Sequence, residues 1–221
     1  ARKSTFEFYF HKPEGKEKMS AKDEFLKAYS ENIHRGGADK LLAWLQKTDF
    51  FTAPASTRFH GAYESGLVEH SLNVFYELTD EYNLYAKHVL YGGGTVQIDG
   101  ESVAICALLH DICKANFYKV STRNVKNAET GQWEKQPFYQ VNDQFPYGHG
   151  EKSVFLIERF MRLHIEEAVA IRWHMGGFDD AVRGGCYSES DAYYEYPLAV
   201  LLHVADMKAS HLDERRKKDN E

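Results

Sequence analysis

The sequence predicts a mostly α-helical bundle forming a single domain, with a small β-hairpin inserted between helices. Three observations lead there. The chain has 221 residues, the size of one generous domain. Apolar residues recur at helical spacing from about residue 60 almost to the end, broken by glycine pairs and one glycine triplet. Only residues 116–143 alternate apolar and polar positions around a turn signal. Hydrophobic residues make up 43% of the chain, with 14 Tyr and 14 Phe. That is enough to fill a packed core and too much for a disordered chain.

Taken in order, residues 4–10 read as a short strand or extended arm, followed by a polar loop through Pro13 and Gly15. Ser20 is placed to cap a helix over 21–33, with Asp23 and Glu24 in its first turn, and Gly36 and Gly37 stop it. Leu41, Leu42 and Leu45 give one apolar side to a helix over 38–46, and Pro54 marks a loop. A helix over 67–82 carries Leu67, Leu72, Phe75, Tyr76 and Leu78, with a second over 83–91 ending at Gly92-Gly93-Gly94. Residues 101–112 are apolar nearly throughout, as in a helix buried on most of its surface. The runs 117–125 and 136–141 flank a turn at 129–132 and form the hairpin. Helices over 151–163 and 165–174 follow, the latter stopped by Gly176 and Gly177. Residues 178–196 read as a long polar and aromatic loop. Pro197 starts a final helix to residue 211, before a charged, solvated tail.

Composition narrows the function. Twenty-seven Lys and Arg against 33 Asp and Glu leave a net charge of −6, the wrong sign for a general nucleic-acid coat. No apolar run approaches the roughly 18–20 residues that cross a bilayer, and residues 1–10 lack the apolar core of a secretion signal. Cys106, Cys113 and Cys186 are an odd, sparse set without zinc-knuckle spacing, which fits a reducing compartment and a cytoplasmic location. The unusual count is eleven histidines.

His110-Asp111 ends the most apolar helix, where an ionised carboxylate is costly to bury unless a cation compensates it. Asp and neutral His together suit iron, manganese, cobalt, nickel or zinc. His70, between Leu67 and Val74, faces the core side of its helix, and Asp206 is an acid inside the apolar run 201–207. One metal held by His70, His110, Asp111 and Asp206 accounts for all four. His149, before a helix, and His174, before Met175-Gly176-Gly177, add a second ion roughly 3.5–4 Å away if Asp111 bridges them. Each position also has an ordinary reading. His110 and His149 could be caps, Asp206 the partner of a buried cation, and His174 a dipole contact. Cys106 is a small core residue, and His203 is a buried neighbour of Asp206 and not a ligand.

The ordered strings Gly66-Leu67-Val68-Glu69-His70-Ser71, Leu108-Leu109-His110-Asp111-Ile112-Cys113-Lys114, Gly148-His149-Gly150-Glu151-Lys152-Ser153, Arg172-Trp173-His174-Met175-Gly176 and Leu201-Leu202-His203-Val204-Ala205-Asp206 resemble the HD-domain metal-dependent phosphohydrolase superfamily. The run from His60 to His70 is similar to the HD domain of YhaM-type 3′–5′ exoribonucleases and uncharacterised relatives. The resemblance spans about 150 residues, roughly 59–210. It divides the chain into an N-terminal arm and helical extension (1–58), an HD-type metal-binding helical domain (59–211) and a charged tail (212–221). In place of the glycine of His-Asp-Ile-Gly-Lys stands Cys113, so the turn geometry there is expected to differ if the glycine is strained. Residues 1–58 are too short and too helical for the nucleic-acid-binding barrel that precedes the HD domain of the exoribonucleases.

The resemblance implies one or two divalent transition-metal ions (Mn, Fe, Ni, Co or Zn) and hydrolysis of a phosphomonoester or phosphodiester by metal-activated water. Asp111 is the expected catalytic ligand, with Lys114 acting on a substrate phosphate. His60, Lys114 and Lys152 are the expected substrate contacts, ranked above Arg172 and Arg183. Trp133 and Tyr139 are candidate pocket walls on the hairpin. The partner is a phosphate-containing small molecule, a nucleotide or a short oligonucleotide, with no membrane and with self-association left open. Two other classes stay open: a non-catalytic nucleotide-sensing or protein-interaction HD domain, and a di-iron oxygenase.

Overall fold

The structure, a computed structural model, describes residues 19–214. The expected strand over 4–10 lies outside the described residues. Among the described residues, nine α-helices and one two-stranded antiparallel sheet follow in the order α1 (Ala21–Asn32), α2 (Ala38–Leu45), α3 (Gly66–Tyr91), α4 (Gly100–Leu109), β1 (Tyr118–Lys126), β2 (Trp133–Val141), α5 (His149–Glu158), α6 (Ile165–Trp173), α7 (Asp180–Arg183), α8 (Ser188–Glu195) and α9 (Pro197–Lys208). The mostly α architecture with an inserted hairpin is therefore the one the periodicity predicts.

Local chemistry explains the boundaries. Ser20 caps α1 by accepting from the Asp23 backbone N–H at 3.1 Å, and Asp99 caps α4 by accepting from Ser102 N–H at 2.7 Å. The α3 helix is one 26-residue element, where two were expected, because no glycine or proline interrupts residues 67–91. The hairpin pairs Tyr118 with Val141 and Lys126 with Trp133, a longer second strand than the alternation suggested. Residues 178–196 are not a loop. Asp179 caps the short α7 by accepting from Ala181 N–H at 2.9 Å, and α8 follows.

Helix α4 is the hub. Residues 102–109 are all buried, as expected of a helix apolar on every side, and α1, α3, α6 and α9 pack around it. Phe25, Tyr29, Leu41, Leu45 and Phe50 join the same core as Leu67, Ile105 and Leu198, so α1 and α2 are packed parts of the bundle. A buried ion pair ties them in. Arg35 donates to both oxygens of Glu167 at 2.6 and 2.8 Å, and Ser102 Oγ donates to the same carboxylate at 2.6 Å. No helix of the described residues is long and apolar enough to cross a membrane.

Two glycines bring separate elements within reach of one point. A Cβ on Gly66 would lie 2.0 Å from the Gly61 carbonyl oxygen, so the loop carrying His60 rests directly on the start of α3. A Cβ on Gly150 would lie 2.2 Å from the Arg172 carbonyl oxygen, so the start of α5 lies against the end of α6. His60 thereby packs beside His70, with ring centroids 4.8 Å apart, and His149 beside His174, at 5.1 Å.

Candidate metal centre

The α4 helix ends at its most informative residues. His110 caps it with helical backbone, and Asp111 leads into a 3-10 turn over Ile112–Lys114. Ending the helix here turns both side chains toward α3, α5, α6 and α9. Continuous helix would have set them about 100° apart. Asp111 is 2% exposed and is ringed by donors from all sides.

Its two oxygens face two different groups. Oδ2 lies 3.6 Å from His70 Nε2 and 3.7 Å from His110 Nε2. His70 Nε2 is in turn 3.3 Å from His110 Nε2 and 3.3 Å from Asp206 Oδ1. Oδ1 lies 2.8 Å from His149 Nε2 and 3.7 Å from His174 Nε2. His70, His110 and Asp206 form one compact donor group, and Asp111 belongs to two others, with His110 and His174 and with Cys113 and His149. The donors of the expected set are thus assembled from α3, the end of α4, α5, α6 and α9.

The outer ring nitrogens fix which nitrogen faces inward. His110 Nδ1 lies 2.8 Å from the Ala107 carbonyl oxygen, and His174 Nδ1 lies 2.7 Å from the Ile171 carbonyl oxygen. Donation from Nδ1 leaves each Nε2 with its lone pair toward Asp111. His174 Nε2 is fully buried and has no hydrogen-bond partner. An orphaned imidazole nitrogen aimed at a buried carboxylate, within a set of His and Asp donors, fits a divalent transition-metal ion.

The electrostatics agree. Burial pushes the Asp111 pKa up, but Lys114, with its Nζ 2.6 Å from Oδ2, and the hydrogen bond from His149 hold it well below the usual carboxylate range. Burial lowers the His110 pKa to about 3, which keeps the ring neutral at pH 7. Burial also opposes charge on His70, yet hydrogen bonds to Asp206 and Glu214 outweigh it and raise that pKa to about 10. His149 is raised to about 10 against burial by Cys113 and Asp111. Asp206 is held far below its ordinary value, mainly by His70, although burial opposes this. These opposite charges share one small volume, as donors awaiting a cation do.

Glu214 is the residue that sequence reasoning missed. It falls in the tail expected to be solvated, but its side chain is 6% exposed, and Oε1 lies 3.0 Å from both His70 Nδ1 and Asn73 Nδ2. A carboxylate behind a ligand histidine orients the ring and raises its basicity. A turn of π-helix over Ala209–Asp213 brings Glu214 back to the cluster. The available signal was the i, i+4, i+8 stripe Asp206, Ser210, Glu214.

Among the expected substrate contacts, His60 stands beside His70. Its pKa falls to about 4 through burial and the nearby His70 and Lys114, and its Nε2 is buried without a partner. Lys114 lies directly on Asp111. Lys152 is not brought to the cluster: its Nζ is 2.6 Å from Asp143 Oδ1 and sits over the rings of Phe117 and Phe145. Arg172 is likewise held by Asp179 and Glu151, and Arg183 lies over Phe178. His203 packs outside the centre, with Nδ1 2.7 Å from the His174 carbonyl oxygen. Cys113 keeps ordinary backbone: among the described residues, the non-glycine positions with positive φ are Ser65 and Asn116, so no left-handed strain opposes a side chain at 113. Tyr139 lines a groove on the hairpin, whereas Trp133 is at the hairpin's far end and largely exposed.

No curated protein and no solved structure matches the chain. The family model described as HD domain matches residues 67–209, the span that contains His70, both residues of the doublet, His149, His174 and Asp206. That match covers more than half of the sequence, and the helical frame and the donor cluster agree with it. The chain therefore belongs to the HD-domain family, within the metal-dependent phosphohydrolase superfamily that its motifs resemble.

Proposed function

We propose that this protein hydrolyses a phosphomonoester or phosphodiester of a nucleotide or short oligonucleotide, using one or two divalent ions. The observation that carries the reading is the division of Asp111. One oxygen faces His70 and His110, with Asp206 beside them, and the other faces His149 and His174. His70, His110, Asp111 and Asp206 would hold the first ion, and Asp111, His149 and His174 the second. A divalent ion so held lowers the pKa of bound water and neutralises phosphate charge.

The chain's own residues supply the rest. Lys114 is half-buried beside Asp111, and its ammonium is positioned to stabilise negative charge gathering on phosphate oxygens. His60, neutral at pH 7, presents its unpartnered Nε2 at the rim of the cluster as a substrate contact. The loop that carries it continues into an open groove of about 550 Å³, lined by Thr57, Arg58, Arg123, Phe138 and Tyr139. Arg123 lies 5.6 Å from the Phe138 ring centroid. A guanidinium over an aromatic ring suits a base and its phosphate, in a volume typical of small-molecule sites. This local positive charge stands out in a chain of net charge −6, and it favours a small or short substrate over a long polymer.

The test is phosphate or nucleoside release from a panel of mononucleotides, cyclic nucleotides and short oligonucleotides, with Mn, Fe, Co, Ni or Zn supplied. Turnover of at least one member, lost in Asp111→Ala and depressed in Lys114→Met, is the expected outcome. Metal-loaded protein that turns over none of them contradicts the reading. Iron-dependent oxygen consumption in its place marks an oxygenase.

A further inference from the structure

The site proposed above has one donor that neither the expected ligand set nor the resemblance includes. We infer that Cys113 supplies a thiolate to the second ion, beside Asp111, His149 and His174. The inference rests on that dinuclear reading and gives its second half a soft ligand.

Cys113 lies on the 3-10 turn directly after the doublet and is 2% exposed. Its backbone N–H donates to Ser153 Oγ at 3.2 Å, which ties the turn to α5, the helix that carries His149. Sγ lies 3.4 Å from His149 Nδ1 and 3.8 Å from His149 Nε2. That Nε2 is in turn 2.8 Å from Asp111 Oδ1. With metal–nitrogen and metal–oxygen bonds of about 2.0–2.2 Å and metal–sulfur bonds of about 2.3 Å, two ligands of one ion lie about 3–3.8 Å apart. The Asp111, Cys113 and His149 atoms fall in or near that range. The same side of Asp111 receives His174 Nε2, fully buried and without a partner, an independent sign that a cation belongs there.

When the ion binds, the Cys113 S–H proton passes to solvent as the sulfur–metal bond forms, and no electron changes hands. A thiolate among imidazole and carboxylate donors selects zinc, cobalt or iron over manganese and magnesium. The second position is thus chemically distinct from the first, which has only nitrogen and oxygen donors.

Cobalt(II) is the probe. Titration of chelator-stripped full-length protein is expected to give visible d–d bands with both equivalents, and a near-ultraviolet thiolate-to-cobalt charge-transfer band with one of them. Cys113→Ser and Cys113→Gly are each expected to lose the charge-transfer band while still binding cobalt at the first position. Cys186→Ser should retain it. Circular dichroism identifies the Cys113 variant that keeps the helical fold. Two equivalents bound without a charge-transfer band, or a band that survives in the folded Cys113 variant, overturns the assignment and leaves the dinuclear centre standing. No cobalt bound at all overturns both.

Discussion

Metal binding to this centre should be coupled to proton release, and the size of the coupling follows from the charges around Asp111. Near neutral pH, Asp111, Asp206 and Glu214 are anionic because each is held below its ordinary value. Lys114 is cationic, Asp206 and Glu214 raise His70 to about 10, and Cys113 and Asp111 raise His149 to about 10. Three negative groups therefore face three positive ones, two of which are borrowed protons. An incoming ion needs the Nε2 lone pair of His70 or His149, so the first position releases close to one proton, and the second releases the His149 proton together with that of the Cys113 thiol. Between pH 7 and 8.5, below both pKa values, the apparent association constant of the first ion should rise about tenfold per pH unit, and that of the second more steeply. The assay is titration with zinc against a competing chelator at several pH values. Calorimetry in buffers of different ionisation enthalpy then counts the protons. Glu214→Gln removes one of the two carboxylates that hold the proton on His70, so it should shrink the count for the first ion and leave the second unchanged. A pH-independent affinity with no proton release would refute the reasoning.

Three further outcomes follow from other parts of the structure. Gly150→Ala places a Cβ 2.2 Å from the Arg172 carbonyl oxygen, which forces α5 away from α6. Metal analysis should show loss of the second ion with the first retained. Glu167→Ala leaves Arg35, 14% exposed, without its bidentate partner, and denaturant unfolding should show a loss of about 3–5 kcal/mol. In chelator-stripped protein, the stability contributed by His70 and His149, whose pKa values rise on folding, is complete below about pH 6.5 and lost as pH rises toward 10. Asp111 and Asp206, whose pKa values fall on folding, contribute above about pH 4 and lose that contribution as pH falls below it. His110 and His60, whose pKa values fall on folding, add stability that grows as pH rises to about 6.5, so thermal unfolding should peak near pH 6.5. Zinc should remove the alkaline loss by replacing the two protons.

Much of this was readable from residue types because the physics acted locally. An acid at the end of a helix as apolar as α4 demands a counter-charge, and His70 and Asp206 face the core by their spacing alone. The cap at Ser20 and the hairpin turn are likewise short-range chemistry. What stayed hidden depends on tertiary contact. Helix α8 has only Ala192 buried, so no apolar stripe announced it, and residues 178–196 looked like a loop. Glu214 sits among charges that mark a solvated tail, and only the turn after α9 returns it to His70. Lys152 lies inside a family-like string, yet Asp143, which binds it, comes from the loop after the hairpin, and no spacing rule connects the two.

The most direct measurement is elemental metal analysis of protein purified without chelator, alongside Asp111→Ala shown by circular dichroism to be folded. Close to two transition-metal ions per chain in the parent and a loss of both in the variant is the predicted result, because Asp111 faces both donor groups. A folded parent that holds no ion, even after reconstitution with manganese, iron or zinc, would contradict the metal centre itself.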